Sequence, residues 1–286
     1  MAKRLACIIF LSLVISGCSV QRIAVRSMSG VLENSMLSLY QESDLKLAEQ
    51  AIASDLKLLE GLLKSDPQNA EFLLMLSQGF TAYAMGFVED DDPARARVLY
   101  FRARDYGIQL LKQKAFRNYP FQSLEELKQA LQQFSNEDVA ALFWTANSWA
   151  GWINLSFTNP QALADLPKVQ LMMDRVIELD ESFFFGGAHM FFGTIYAARP
   201  PLLGGDISKA EFHFNKCFQY ADKKFLLPYV YYAKFYATRV FDEALFDSTI
   251  SLILETPSSI LPDQQLPNAI AQRKARDLKA QKDDLF

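Results

Sequence analysis

The chain has 286 residues, of which half are hydrophobic and 13% are aromatic, and its net charge at pH 7 is −4. A chain of this composition can bury a large core, and its mildly acidic balance does not supply the concentrated basic surface that nucleic-acid binding requires. We therefore expect a folded protein that has no nucleic-acid partner.

The N-terminus has the pattern of a bacterial lipoprotein signal peptide. The basic pair Lys3-Arg4 precedes an apolar run over residues 5–15, and the lipobox Ile15-Ser-Gly-Cys18 follows. The run is shorter than the about 20 residues that cross a bilayer, but it has the length of a secretory signal. We predict a signal peptide in residues 1–17 and a lipid on the thiol of Cys18. The alternative is an ordinary signal peptide in which this cysteine is incidental.

The rest of the chain is predicted to be a lipidated tether, residues 18–30, followed by a helical-repeat domain, residues 31–286. No stretch after Cys18 is apolar for long enough to cross a bilayer, so the lipid is the predicted membrane anchor. Ser19 favours the outer membrane by similarity to lipoproteins of diderm bacteria, in which Asp at this position favours the inner membrane. We expect the protein to face the periplasm.

Cysteine usage excludes a stabilising cross-link. Cys7 lies in the signal peptide and Cys18 is the predicted lipid site, which leaves Cys217. The mature chain would then have no internal disulfide and no cysteine-based metal site. We predict that Cys217 is buried as a small apolar residue.

From Val31 onward the apolar residues follow a helical period, and no sustained alternation of the kind found in strands occurs. A broad apolar stripe over residues 45–63 predicts an amphipathic helix, for which Ser43 is a plausible N-cap. Proline-containing breaks are predicted to separate the helices at Asp66-Pro67-Gln68-Asn69, Asp90-Asp91-Asp92-Pro93, Asn118-Tyr119-Pro120, Asn159-Pro160, Arg199-Pro200-Pro201, Leu227-Pro228, Thr256-Pro257 and Leu261-Pro262. The predicted fold class is all-α, built from antiparallel helical hairpins.

Several helices carry the spacing of degenerate tetratricopeptide-like repeats. Leu76-Ser-Gln-Gly-Phe80 resembles the signature of a first repeat helix, and residues 166–180 resemble a second one. Small, aromatic and small residues at helical spacing would let paired helices approach closely, and two sets have this order: Ala96, Tyr100 and Ala103, and Ala210, Phe214 and Cys217. Ideal repeats are about 34 residues long, and here extra residues separate the paired helices. The alternative is that any array of helical hairpins produces such matches.

No catalytic, metal or cofactor site is predicted. Glu181-Ser182 and Gly187-Ala188 faintly resemble lytic transglycosylase motifs, but the gap between them is too short. His189 and His213 are the two histidines, and neither belongs to a His-Glu-x-x-His zinc pattern. We interpret both as packing or surface residues.

The segment that follows Arg199 is interpreted as a structural turn. Gly204-Gly205-Asp206 lacks the Lys and Ser/Thr of a phosphate-binding loop, so we expect a glycine turn in which Asp206 caps the helix from Ile207. The predicted turn residues are Pro200, Pro201, Gly204, Gly205 and Asp206.

Aromatic residues are concentrated in helices near residues 143–157 and 183–192. Most are expected to fill the core, but tryptophan and tyrosine also suit the wall of an apolar pocket. The residues predicted to bind an apolar ligand are Trp144, Trp149, Trp152, Phe184, Phe191 and Tyr196. The alternative is that these rings only fill the core.

The chain resembles the T-component (TatT) lipoproteins of tripartite ATP-independent periplasmic (TRAP) transporters. The most specific matching segment is Arg199-Pro-Pro-Leu-Leu-Gly-Gly-Asp206, and the other matches lie at residues 76–84, 92–107, 179–189 and 266–278. The resemblance implies an all-helical, non-enzymatic protein with cryptic tetratricopeptide-like motifs, an apolar pore or pocket, and oligomers such as a trimer. It also implies a DctP-like periplasmic solute-binding protein as the partner.

The predicted function is that of a lipid-anchored accessory protein of a TRAP-type system, which docks a solute-binding protein and holds or passes an apolar ligand. The alternative is a helical-repeat scaffold lipoprotein for outer-membrane protein assembly. A neighbouring gene for a solute-binding protein and a permease would favour the first function, and genes for barrel assembly would favour the second.

Overall fold

The computed structural model describes residues 26–121, 123–156 and 159–286. These ranges contain thirteen α-helices and no strand, which confirms the all-α prediction. The predicted signal peptide, the lipid site at Cys18 and most of the tether lie outside the described residues. The first described helix begins at Ser29, shortly before the predicted domain boundary.

The helices of the N-terminal half are α1 (Ser29–Tyr40), α2 (Leu45–Ser65), α3 (Ala70–Tyr83), α4 (Pro93–Lys112), α5 (Leu124–Leu131) and α6 (Val139–Asn154). Those of the C-terminal half are α7 (Pro160–Asp180), α8 (Phe183–Ala198), α9 (Ile207–Ala221), α10 (Leu227–Tyr231), α11 (Glu243–Glu255), α12 (Gln265–Ala280) and α13 (Lys282–Leu285). Two helices continue into π-helical segments, α3 into Ala84–Val88 and α10 into Tyr232–Ala237.

Local capping decides where most of these helices begin. Side-chain oxygens accept hydrogen bonds from backbone N–H groups of the first turn at Asp44, Asn69, Asp92, Ser123, Asn159, Asp206 and Asp242. Such caps satisfy donors that have no partner within the helix. The prediction that Ser43 caps α2 was wrong, because the Asp44 carboxylate accepts from the N–H groups of Lys46 and Leu47.

Helix α7 differs from the predicted repeat helix at residues 166–180. It begins at Pro160, where Asn159 provides the cap, and Pro167 lies inside it. A proline within a helix removes one hydrogen bond, but the capped start and the buried face of α7 keep the helix continuous. Val169 and Met172 on that face are fully buried.

Helix α8 begins with a left-handed turn that the sequence pattern did not predict. The φ angles are +48° at Phe184, +56° at Phe185 and +73° at Gly186, so the aromatic run is not regular α-helix. A positive φ at residues with side chains costs about 1–2 kcal/mol each. Ring contacts offset this strain, since Phe185 stacks on Phe225 with centroids 4.2 Å apart and Phe184 lies 5.0 Å from Trp144.

Antiparallel helix pairs form the body of the protein, with the most extensive contacts between α8 and α9, α4 and α6, α3 and α4, and α6 and α7. Between α8 and α9, Gly193 leaves space for the ring of Phe214, because a Cβ at Gly193 would lie 2.9 Å from that ring. Cys217 on the same face is fully buried, as predicted, and burial raises the pKa of its thiol to about 12.

Helix α12 joins the two ends of the array. Its residues Leu266 and Ile270 belong to the apolar cluster of α1–α4. Ala271, Ala275 and Leu278 belong to the cluster that contains α10 and α11. The last long helix therefore packs on both halves of the chain, and the surfaces of the two halves face each other beside it.

Candidate functional site

A cavity of about 600 Å³ lies between the two halves of the array. Its wall is formed by residues of α4, α6, α7, α8, α10 and α12 and of both π-helical segments. This volume is within the range of about 300–1,000 Å³ that is typical of small-molecule sites. π-helical turns are rare and occur often at functional sites, because they displace side chains and carbonyl groups from the regular helical pattern.

Most of the cavity wall is apolar. Buried side chains from three helices line it: Ile153 of α6, Leu166 of α7, and Met190 and Phe191 of α8. Ile195, one turn further along α8, continues this surface. An apolar molecule could therefore replace water along this side of the cavity with a gain in free energy.

One part of the wall depends on a glycine. A Cβ at Gly151 of α6 would lie 2.6 Å from the ring of Tyr100, so only glycine lets this tyrosine pack closely against α6. The Tyr100 hydroxyl donates a hydrogen bond of 2.6 Å to the Glu89 carboxylate. Burial and the neighbouring Glu89 charge raise the pKa of Tyr100 well above its usual value, so the phenol remains neutral.

A charged cluster forms another part of the wall. The Lys274 ammonium of α12 lies 3.0 Å from the Glu89 carboxylate and 2.6 Å from that of Asp90. The neighbouring Arg273 donates to the carbonyl of Gly86 at 2.7 Å. This carbonyl lies in the last turn of a helix, where backbone acceptors have no partner within the helix. The cluster thus ties α12 to the π-helical end of α3.

Tyr231 of α10 also lies in this wall. Burial and the charges of Glu89 and Asp90 raise its pKa well above the usual value for tyrosine, so its hydroxyl keeps its proton. A neutral hydroxyl beside an apolar surface can orient a ligand through a hydrogen bond.

Of the six aromatic residues predicted to bind a ligand, Phe191 lines the cavity. The cavity wall does not include the other five, which are Trp144, Trp149, Trp152, Phe184 and Tyr196. Trp144 and Trp149 are buried in the core cluster formed by α4–α8. Trp149 faces the side of α6 opposite to the cavity-lining residues Asn147 and Gly151. Trp144 lies on the same side as these two residues but nearer the start of the helix, where its ring contacts Phe143 and Phe184.

The remaining predicted rings have partners elsewhere in the array. Trp152 lies 5.6 Å from Phe101, measured between ring centroids. Tyr196 stacks on Phe192 and on His213, with centroid distances of 6.1 and 5.7 Å. These rings therefore pack outside the cavity wall, whose own aromatic side chains are Tyr100, Phe191, Tyr231 and Phe235.

The two histidines are distant in sequence but adjacent in space, because α8 and α9 pack side by side. The Nδ1 atoms of His189 and His213 lie 2.8 Å apart, and His189 Nε2 lies 2.9 Å from the Glu181 carboxylate. Lys216 and Tyr220 also bind Glu181 and are the main causes that lower its pKa to about 2. Burial lowers the pKa of His189 and brings that of His213 to about 4.

This cluster does not form a metal site, since the described part of the chain contains no group of three His, Cys, Asp or Glu side chains placed to hold a metal ion. Its geometry is that of a hydrogen-bonded connection between α8 and α9. The interpretation of His213 as a packing residue agrees with its stacking between aromatic rings.

The turn between α8 and α9 is built by backbone geometry. The segment Pro201–Leu203 is a 3-10 turn, and Gly204 has a left-handed φ of +86°. A Cβ at Gly205 would lie 1.8 Å from the carbonyl oxygen of Arg199, so a side chain cannot be accommodated there. The Asp206 carboxylate accepts from the backbone N–H of Lys209 and caps α9.

The outer side of this turn is apolar and open to solvent. Leu202 is 99% exposed and Leu203 is 68% exposed. Arg199 precedes the turn and lines the cavity, so these leucines lie close in sequence to the cavity wall.

Across the described ranges, no helix combines the length and the hydropathy that crossing a membrane requires.

Comparison with known proteins relates this architecture to a transport family. A family model described as TRAP transporter T-component matches residues 41–286. A curated protein of Treponema pallidum (strain Nichols), described as an uncharacterized protein, is 26% identical over 315 residues, which cover 99% of this chain and 98% of that protein. The family match spans all helices from α2 to α13. This chain belongs to the TRAP transporter T-component family.

Proposed function

We propose that this T-component is a lipid-anchored periplasmic accessory protein that docks a solute-binding protein and holds or passes an apolar or amphipathic ligand. The observation that carries the proposal is the cavity of about 600 Å³, whose wall combines an apolar surface with a few charged and hydroxyl groups. Small-molecule sites commonly have this composition, because the apolar area supplies affinity and the polar groups fix orientation. The family is one of transport accessories, and the proposed role is not catalytic.

The proposed ligand contacts are the aliphatic and aromatic side chains of the cavity wall, mainly Ile153, Leu166, Met190, Phe191 and Ile195. Tryptophans 144, 149 and 152 would act indirectly, because they pack in or against the core cluster of α4–α8 and hold α6 in place. Tight packing of this core cluster would limit the collapse of the cavity when it is empty.

The proposed location follows from the N-terminal sequence and the family. A lipobox at Cys18 would anchor the chain through acyl groups, and membership of a TRAP component family is consistent with a membrane-associated periplasmic protein. Ser19 favours the outer membrane. Replacing Cys18 with alanine should release the exported chain from the membrane fraction.

The proposed partner is a periplasmic solute-binding protein that exchanges ligand with the cavity. Such a partner must contact the cavity rim, where Arg199 is followed by the exposed apolar tip Leu202-Leu203. Exposed leucines on a short loop are suited to insertion into a partner surface, since they lose unfavourable contact with water on binding.

Native mass spectrometry of gently purified protein tests the ligand role. Ile195→Trp would fill part of the cavity, and Phe212→Trp adds a tryptophan on the exposed side of α9 as a matched control. We expect a co-purifying small molecule with the natural protein and with the Phe212 variant, and its loss in the Ile195 variant. The same spectra report whether the subunits associate as a trimer.

Protein that is empty in all three samples and binds no added apolar compound would contradict the ligand role. It would favour the alternative of a scaffold that binds only other proteins.

A further inference from the structure

Some cations of the cavity wall are paired with carboxylates of the protein, and others are not. Lys274 is paired with Glu89 and Asp90, and Asp277, another carboxylate of the wall, lies 4.0 Å from Arg273. Each of these three acidic side chains of the wall is thus in contact with a positive partner. The charges of this side of the cavity are satisfied within the protein.

Arg199 differs from Lys274. It follows the last residue of α8 in an extended conformation, lines the cavity and is half-buried. Among the described residues, no carboxylate pairs with its guanidinium and no acceptor is hydrogen-bonded to it. Burial alone lowers its pKa, yet an arginine remains protonated at neutral pH. The guanidinium is partly desolvated and has no acceptor from the protein, so an acidic group of a ligand in the cavity could supply one.

Lys234 is a second cation of the wall without an acidic partner in the described part of the chain. It lies in the π-helical segment after α10, with its ammonium 5.5 Å from the ring centroid of Phe235. Both Lys234 and Phe235 line the cavity together with Arg199. The unpaired positive charges of the wall are therefore Arg199 and Lys234, while the acidic groups are already neutralised.

We propose that Arg199, assisted by Lys234, binds the acidic head group of an amphipathic ligand whose apolar part lies along Met190, Phe191 and Ile195. This inference rests on the proposed ligand-holding function and names the chemical class of the ligand. Phe191 and Arg199 are separated by about 12 Å along α8, at about 1.5 Å per residue. This spacing suits an alkyl or similar apolar group of medium length between Phe191 and the guanidinium.

A carboxylate and a phosphate share the chemistry that a guanidinium recognises, since both accept two parallel hydrogen bonds from it. The choice between these heads is made by experiment. Isothermal titration calorimetry of the purified protein, below micellar concentrations, would compare dodecanoate, dodecyl phosphate, 1-dodecanol and dodecyltrimethylammonium. We expect the anions to bind on the order of tenfold more tightly than dodecanol, because a charge-assisted hydrogen bond contributes that much. The more tightly bound anion identifies the head group.

Variants locate the head group. Arg199→Gln should weaken binding of the preferred anion by on the order of tenfold and leave dodecanol unaffected. Lys234→Gln should weaken it by about two- to fivefold, because an exposed charge contributes less. Arg239→Gln is the control, since Arg239 is an exposed cation close to Lys234 but outside the wall of this cavity. Thermal melting would verify folding, and we expect Arg199→Gln to melt no lower than the natural protein.

The outcomes separate this inference from the proposed function. Equal affinities for dodecanoate, dodecyl phosphate and dodecanol, or an unchanged anion affinity in folded Arg199→Gln, would overturn the head-group assignment and leave an apolar ligand site. Tightest binding of the cationic amphipath would also overturn it. Absence of binding for all four compounds would overturn the inference together with the ligand-holding role.

Discussion

The ammonium of Lys274 lies 3.0 Å from the carboxylate of Glu89, although the two residues are 185 positions apart in the chain. Lys274 is only 8% exposed, and its second partner is Asp90. This contact joins α12 to the turn that follows α3, at the wall of the cavity. The contact therefore contributes both to the packing of α12 and to the shape of the cavity wall.

Replacing Lys274 with alanine should destabilise the protein by roughly 2 kcal/mol, because it leaves the Glu89 carboxylate without its cation and Asp90 with only the 3.5 Å contact to Arg273. Lys279→Ala on the exposed side of α12 is the control and should change stability by less than about 0.5 kcal/mol. Urea unfolding monitored by circular dichroism measures both variants. Equal stability of the two would show that the Lys274 contacts do not hold α12 in place.

Alanine substitutions at two glycines, one in the turn between α8 and α9 and one in α2, are predicted to have opposite effects on stability. Gly205→Ala should destabilise by about 1–3 kcal/mol, since its Cβ would overlap the Arg199 carbonyl oxygen. Gly61→Ala lies within α2, where nothing obstructs a Cβ, and should stabilise by about 0.5–1 kcal/mol. Thermal melting distinguishes the two signs. Stabilisation by Gly205→Ala would mean that the turn is more open than its geometry indicates.

The histidine cluster predicts a loss of stability in mild acid. Burial lowers the pKa of His189, and burial with the charges of His189 and Lys209 brings that of His213 to about 4. The folded state therefore favours neutral rings. Its contribution is complete above the unfolded value of about 6.5 and is lost as the pH falls from there toward 4.

Glu181 affects the stability of the protein in a separate and lower pH range. Its pKa of about 2, set mainly by Lys216 and Tyr220, contributes stability above about pH 4.5 that is lost as the pH falls toward 2.

Unfolding by urea at pH 7.5, 6.5, 5.5 and 4.5 tests the predicted effect of the two histidines. His213→Gln should flatten the dependence between pH 6.5 and 4.5, and an unaltered slope in this variant would contradict the assignment.

A charge placed in the exposed tip Leu202-Leu203 is predicted to weaken binding of the partner. Leu202→Asp should weaken association with the cognate solute-binding protein by at least about tenfold, since it places a charge in an apolar contact. Leu47→Asp introduces the same change on α2 at a leucine that is 54% exposed, and should not affect binding. Surface plasmon resonance measures both. Weakening by both variants alike would point to net charge rather than to the tip.

The fold could be predicted to the extent that it depends on local signals. Pro93 and Pro160 begin helices, and Asp206 caps α9 as expected, because caps and proline act within a few residues. The left-handed turn at Phe184 could not be predicted in this way. Its strain is offset by Phe225 and Trp144, which are distant in sequence, so only the assembled core makes the conformation favourable.

The candidate site was less accessible to sequence reasoning than the fold. Aromatic content drew attention to α6 and α8, two helices of the cavity wall, yet the face that each helix presents to the cavity depends on packing. Trp149 is buried on one side of α6, whereas Gly151 faces the cavity on the other. The contacts of Glu89 and Asp90 could not be predicted, since nothing near these residues in the sequence indicates that Lys274 will meet them.

The position of α12 has a consequence for how the chain acquires its structure. Leu266 and Ile270 complete an apolar cluster whose other buried members lie between residues 32 and 103, so this cluster is complete only after the last long helix has emerged. These contacts span most of the polypeptide and raise its contact order, which slows folding. A chain that leaves a ribosome or a translocation pore N-terminus first would therefore keep the part of this apolar surface that α12 covers exposed, and accessible to chaperones, almost until synthesis or export ends.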